Sequence, residues 1–272
     1  MLKSSFILLF ALIIGFSPVM ADEKGKKSET PNATELVKKA DLLLRGEDSS
    51  EHYVNFVVNR PGQKIARKVV VYLKGKKFSL THFIKPIKDR NTTILKREFD
   101  MWMYAPSVRK KIRIPFGMMH QGVLGSDFTY DDLLKESTLT DDYTHKIVAE
   151  SKGMKKKHGK VYVVDLAPIA GHPVTYKKLR LWIREKGGIL LRTQYYNEKL
   201  EVVRVLSYSD LKEIDGREIP TTWKMSNLEH EGYSTEYSII DGKYNKIEKD
   251  DIFAPKTLEN PPSSNWKEKS TK

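Results

Sequence analysis

At 272 residues the chain can bury a core unaided, and the absence of cysteine excludes both a disulfide-braced scaffold and a lipid anchor at a lipobox cysteine. Its 48 Lys and Arg against 35 Asp and Glu leave a formal charge of +13, a balance that suits nucleic acid or an anionic membrane surface. The exported character of the N-terminus argues against the first of these.

The chain opens "MLKSSFILLFALIIGFSPVMA". One lysine, an apolar run from Phe6 to Phe16, and Pro18 ahead of Ala21 are the layout of a signal peptide cleaved after Ala21, shorter than a membrane-spanning helix needs. Residues 1–21 are therefore expected to be removed, and secretion without cysteine points to a bacterial periplasm. Residues 22–31 read as a disordered polar leader. From Pro31-Asn32-Ala33-Thr34 onward, Leu36, Val37, Ala40, Leu43 and Leu44 recur at helical spacing, with Gly46 as the stop.

Strands follow. "HYVNFVVNR" precedes "ARKVVVYLKGKKFSLTHFI", in which Gly75 reads as a hairpin turn, and "NTTILKREFDMWMYA" ends at Pro106. "THKIVAESK" and "KVYVVDLAP" flank a polar turn at residues 155–159. Five further strand-like runs end with "GYSTEYSII", separated by turn signals such as Gly187-Gly188, Asn197-Glu198, Asp215-Gly216, Glu231-Gly232 and Asp241-Gly242. Leu179, Leu181 and Ile183 alternate with Lys178, Arg180 and Arg184, as do Ile219, Thr221, Trp223 and Met225 with Thr222, Lys224 and Ser226. This pattern predicts a mainly β protein: one strongly curved antiparallel sheet of about ten strands, an incomplete barrel capped by a few helices. The domain is expected over 32–258, with a polar tail over 259–272.

Catalytic signatures are absent from the sequence. There is no Gly-x-Ser-x-Gly elbow, no phosphate-binding loop, and the seven histidines show no metal-ligand spacing. The pairs Asp131-Asp132, Asp141-Asp142 and Asp250-Asp251 fall at predicted turns or helix starts, where an Asp side chain accepts backbone N–H groups. No metal, cofactor or catalytic residue is expected.

The distinctive passage is "MWMYAPSVRKKIRIPFGMMHQGVLGSDFTYDDLL", Met101 to Leu134. Trp102 and Tyr104 share one strand face and Met101 and Met103 the other. Beyond them, Phe116, Met118, Met119, Leu124 and Phe128 sit among glycines in a stretch that reads partly as loop, and methionine adapts its shape to varied apolar partners. Trp102, Tyr104, Phe116, Met118, Met119, Leu124 and Phe128 are the candidate wall or lid of an apolar cavity. Arg109, Lys110, Lys111 and Arg113 are the candidate patch for anionic headgroups or a partner.

The same passage resembles the outer-membrane lipoprotein-sorting family related to LolA and LolB. The resemblance rests on Trp102, Tyr104 and Pro106, on the basic stretch from Arg109 to Arg113, and on Gly125, Ser126, Asp127, Phe128, Tyr130, Asp132 and Leu133. It covers most of the chain after the signal peptide. It implies a half-barrel whose cavity receives the acyl chains of a lipoprotein or another lipid, and a periplasmic carrier without catalysis or cofactor. It also implies as partners an inner-membrane donor complex or an RND-type exporter, with transient membrane-surface contact. Missing the anchoring cysteine, the chain is nearer to a shuttle than to an anchored receptor; a lipid-sensing or exporter-accessory role is the alternative.

Overall fold

The computed structural model describes residues 30–45, 48–98, 100–130, 132, 139–172, 174–247 and 249–263. The expected signal peptide, almost all of the leader and the tail beyond residue 263 lie outside them. Helix α1 (Ala33–Arg45) begins where the Asn32 side chain accepts the N–H groups of Thr34 at 2.9 Å and Glu35 at 3.2 Å. Its apolar stripe buries Leu36, Val37 and Ala40.

Six strands then form an antiparallel meander: β1 (Ser49–Arg60), β2 (Gln63–Lys74), β3 (Phe78–Lys85), β4 (Thr93–Arg97), β5 (Asp100–Ala105) and β6 (Lys110–Arg113). A second meander runs through β7 (Tyr143–Glu150), β8 (Val161–Pro168), β9 (Lys178–Arg184), β10 (Ile189–Tyr196), β11 (Val202–Ile214), β12 (Arg217–Asn227) and β13 (Ser234–Tyr244). Pairing of β1 with β13 welds the two into one 13-stranded sheet whose edges are β6 and β7. The sheet is not closed.

Several boundaries differ from the sequence reading. The run ending at Pro106 is two strands, β4 and β5, turning at Glu98 with φ 54°. The basic stretch after it is itself the edge strand β6. The polar turn at 155–159 is a short helix, α2 (Lys152–His158), stopped by Gly159 at φ 72°. Asp215-Gly216 is a two-residue hairpin turn with both φ positive, as its chemistry predicts. Asp241-Gly242 is no turn: β13 runs through it, and the extra residue Ile240 bulges out of the β1 ladder. Further register shifts break the β2–β3, β7–β8, β9–β10 and β10–β11 ladders. Each bulge sharpens local twist, which is how a sheet this wide curls.

The topology also dictates the lid. Strands β6 and β7 are consecutive in the chain but lie on opposite edges of the sheet. Of the residues described between them, Ile114, Val123, Phe128 and Tyr130 lie on the concave face, buried against inward residues of β1–β5 and β11–β13. Helix α1 covers the inward residues of β7–β10. The convex face is covered too. Phe253 and Leu258, in the 3-10 turns Asp250–Phe253 and Pro255–Leu258, pack on Val70, Tyr72, Leu80 and Leu95.

Candidate functional site: an apolar cavity under a clasped lid

Between α1 and the lid lies a cavity of about 270 Å³. Its walls come from α1 (Val37, Ala40), β1–β3 (Phe56, Val69, Val71, Phe83), the lid (Val123, Phe128) and the second meander (Leu179, Leu181, Leu206, Met225). Aromatic residues form a continuous wall. The Tyr176 and Tyr195 rings lie 4.7 Å apart, Tyr208 meets Trp223 edge to face at 5.8 Å, and Trp223 stacks on Tyr237 at 4.8 Å.

The buried phenols and the imidazole of these walls are uncharged at physiological pH. Burial pushes the Tyr195 and Tyr237 phenols well above their ordinary range. Burial likewise lowers the His52 imidazole to about 4, so it stands uncharged. Asp41 and Asp132 are the carboxylates among the described lining residues, which include no Lys or Arg.

Polar bonds hold the lid. Asp127, 2% exposed, accepts hydrogen bonds from Arg60 Nη1 at 2.8 Å and Thr235 Oγ1 at 2.7 Å, while its own N–H donates to Thr235 Oγ1 at 2.9 Å. The Arg60 guanidinium also donates to the Gly125 carbonyl and lies 4.4 Å from the centre of the Tyr233 ring. Within the clasp, Val123 N–H donates to Phe128 O and Tyr130 N–H to Gln121 O. Gly122 is required here, since a Cβ would fall 2.0 Å from the Ser126 carbonyl oxygen. Downstream, Asp132 accepts the Thr129 N–H at 2.8 Å, and Thr129 Oγ1 accepts the Asp132 N–H at 3.0 Å, a reciprocal cap. Asp132 also lies within 3.5 Å of Tyr176 OH and Arg204 Nη1.

A family profile described only as uncharacterized-protein-like matches residues 75–260, more than half of the chain. The chain belongs to this family. No curated protein matches it. Among solved structures, a DUF1329 family protein from Desulfovibrio piger superposes with TM-score 0.73 at 23% identity, covering 83% of this chain and 97% of that one. A protein domain from Vibrio parahaemolyticus described as outer membrane lipoprotein-sorting gives 0.72 at 20%, covering 84% and 98%. A LolA superfamily protein from Nitrosomonas europaea gives 0.70 at 23%, covering 84% and 99%. At these identities the likeness shows the fold: this family member has the LolA-like architecture, a mainly β half-barrel.

The structure divides the predicted site residues of this family member. Phe128 lines the cavity, and Met118, Met119 and Leu124 pack against the inner core beside it. The Phe116 backbone opens the 3-10 turn Phe116–Met118, and its side chain lies outside the described residues. Trp102 and Tyr104 do not join them. They face the convex side and pack in the cluster of Leu80, Leu95, Phe253 and Leu258, while Met101 and Met103 take the inner face. Strand alternation separated these two pairs correctly, but both faces are apolar because both are covered.

The basic stretch is split as well. Lys111 and Arg113 stand opposite Tyr104 and Trp102, on the convex side, where Lys111 pairs with Glu259 at 2.6 Å and Arg113 with Asp100. Lys110 stands opposite Ala105, and Arg109 occupies the turn at φ 50°. The aspartate pairs have structural partners: Asp142 accepts from His172 Nδ1 at 2.8 Å, Asp141 pairs with Lys76 at 2.7 Å and Asp250 with Lys74 at 2.9 Å. No group of three or more His, Asp or Glu among the described residues is placed to hold a metal. No helix among them is long and apolar enough to cross a membrane. Sequence reasoning missed His52 and the aromatic wall; for both the signal was alternation, since His52 shares the inward face of Val54, Phe56 and Val58.

Proposed function

We propose that this protein is a periplasmic carrier that takes up the acyl chain of a lipoprotein or another lipid and moves it toward the outer membrane without catalysis. The observation that carries the reading is the predominantly apolar cavity between α1 and the lid. Each methylene withdrawn from water contributes about 0.8 kcal/mol, so about ten buried methylenes supply roughly 8 kcal/mol to hold the guest. A volume of about 270 Å³, at the lower edge of ordinary ligand sites, suits one chain rather than several. The solved neighbours described as lipoprotein-sorting and LolA superfamily proteins support the same reading.

A carrier has to meet donor and acceptor at membrane surfaces. Ile87, 80% exposed, tips the β3–β4 loop beside Lys88 and Arg90, and Val108, 56% exposed, tips the β5–β6 turn beside Arg109 and Lys110. Both connections leave the same end of adjacent strands. Apolar tips flanked by cations favour transient contact with anionic lipid or with the lipid-proximal part of an exporter or donor complex. The carrier reading is tested by native mass spectrometry of the purified protein for co-purified lipid, together with uptake of fluorescent acyl chains. Stoichiometric uptake supports it; neither lipid nor uptake in repeated preparations refutes it.

A further inference from the structure

Six side-chain polar atoms of the described residues are buried without a hydrogen-bond partner, and three of them belong to Ser50, His52 and Tyr244. The three residues adjoin. Ser50 faces Tyr244 across the β1–β13 ladder, and the His52 and Tyr244 rings meet edge to face at 5.4 Å. Of the three, His52 lines the cavity, and it is only 1% exposed. Its ring fits because Gly242 stands opposite: a Cβ there would lie 3.0 Å from the imidazole Cδ2 and 2.9 Å from the Glu51 carbonyl oxygen. Ser79 and Thr81 extend the polar character of this wall, since His52 and Thr81 flank Val71 and Ser50 and Ser79 flank Leu73.

A buried polar atom left unpaired is destabilising, and an apolar side chain of similar shape would remove that penalty. On the wall of a cavity, such an atom gains a partner from a ligand that displaces the side chains now covering it. We infer that His52, with Ser50 and Tyr244 beside it, is a hydrogen-bonding subsite for a neutral oxygen function of the acyl ligand, an ester or amide carbonyl or a hydroxyl, while the chain occupies the apolar remainder. This inference rests on the carrier reading and adds the ligand's chemistry to it. A neutral imidazole offers one N–H donor and one nitrogen acceptor, so it serves a carbonyl or a hydroxyl equally. An anionic headgroup finds no counter-charge there. The described lining residues hold no Lys or Arg, and they include the carboxylates of Asp41 and Asp132. The nearest cation on this cluster, Arg217, lies over the Tyr244 ring at 4.9 Å and is not among the lining residues.

The test is displacement of a bound naphthylamine dye by methyl laurate, laurate and dodecane, in the full-length mature protein and in His52→Phe and His52→Gln. The wild type is expected to prefer methyl laurate over dodecane by about 3- to 10-fold, the span of one net hydrogen bond, and to bind laurate worst. In His52→Phe that preference should fall to about one, and His52→Gln should restore part of it. A wild-type readout runs alongside: the ¹⁵N resonance of His52 Nε2 should move on adding methyl laurate and stay put with dodecane. An ester preference that survives in His52→Phe, or an Nε2 resonance indifferent to the ester, overturns the subsite and leaves the carrier intact. Failure of all three compounds to displace the dye, with no acyl uptake, overturns both.

Discussion

The clasp at Asp127 makes the strongest energetic prediction. Substituting Asp127→Ala removes a carboxylate that is 2% exposed and leaves the Thr235 hydroxyl, fully buried, without one of its two contacts. It also removes the counter-charge of Arg60, whose side chain is 16% exposed. Removing one partner of a buried pair costs about 3–5 kcal/mol. Arg60 keeps the Asn59 and Gly125 carbonyls and the Tyr233 ring, which places the expected loss near the lower bound, about 3 kcal/mol. At a urea dependence of about 2–3 kcal/mol per molar, the unfolding midpoint should fall by about 1 M or more. Intrinsic tryptophan fluorescence reports the transition, because Trp223 stands in the cavity wall. The double variant Arg60→Met/Asp127→Ala should recover about 1–3 kcal/mol, since the uncompensated charge is gone. An Asp127→Ala midpoint within about 0.3 M of wild type, with the double variant additive, would show that the pair does not hold the lid.

Gly122→Ala should lower the melting temperature by several degrees, because its Cβ would sit 2.0 Å from Ser126 O, whereas Gly117→Ala, with nothing within 4 Å, should change it by no more than about a degree. Filling the hollow by Leu206→Trp should abolish acyl-chain uptake while circular dichroism stays native; uptake unchanged would mean the chain binds elsewhere. Because burial depresses the folded-state pKa of His52 to about 4 against 6.5 unfolded, the unfolded chain takes up the proton first, and stability should fall as pH drops from about 6.5 to 4. That group alone contributes about 3 kcal/mol, to be read as the difference in urea stability between wild type and His52→Phe at pH 7 and pH 4; equal slopes would contradict it. Ile87→Asp/Val108→Asp should weaken co-sedimentation with anionic vesicles several-fold and leave soluble acyl uptake intact.

Much of this molecule is written in local patterns. Period-two alternation placed Leu179, Leu181 and Ile183 inward, and Asp215-Gly216 carried its hairpin turn in its own chemistry. What the sequence could not show are pairings between distant segments. The β1–β13 weld pairs the first strand of the chain with the last, and that weld puts β6 and β7 on opposite edges of the sheet. Nothing local to Asp127 names its partners, since Arg60 and Thr235 lie 67 and 108 residues away. Trp102 and Tyr104 read as cavity residues in the sequence because a run of large apolar residues marks a covered face without saying which one. The convex face is covered by Phe253 and Leu258, which reach it from the far end of the chain.

A hollow core raises a physical problem, since apolar walls facing one another tend to close up, and interiors ordinarily pack to the density of organic crystals. The adaptable Met103, Met118 and Met119 would make collapse easier still. What opposes it here is directional bonding at two points of the lid. Asp127 is held by Arg60 and Thr235 on one side, and Asp132 caps Thr129 beside Tyr176 and Arg204 on the other. Hydrogen bonds lose strength steeply with distance and angle, so they fix the height of the lid above the sheet where apolar contacts alone would let it sink. The polar anchors therefore set the volume and the apolar wall sets the affinity. On that division of labour, Asp127→Ala should weaken acyl uptake through loss of the cavity's shape even though Asp127 is not among the lining residues, and binding heat capacity should shrink as the walls close. Full uptake in a variant whose lid is demonstrably released would mean that the cavity holds itself open.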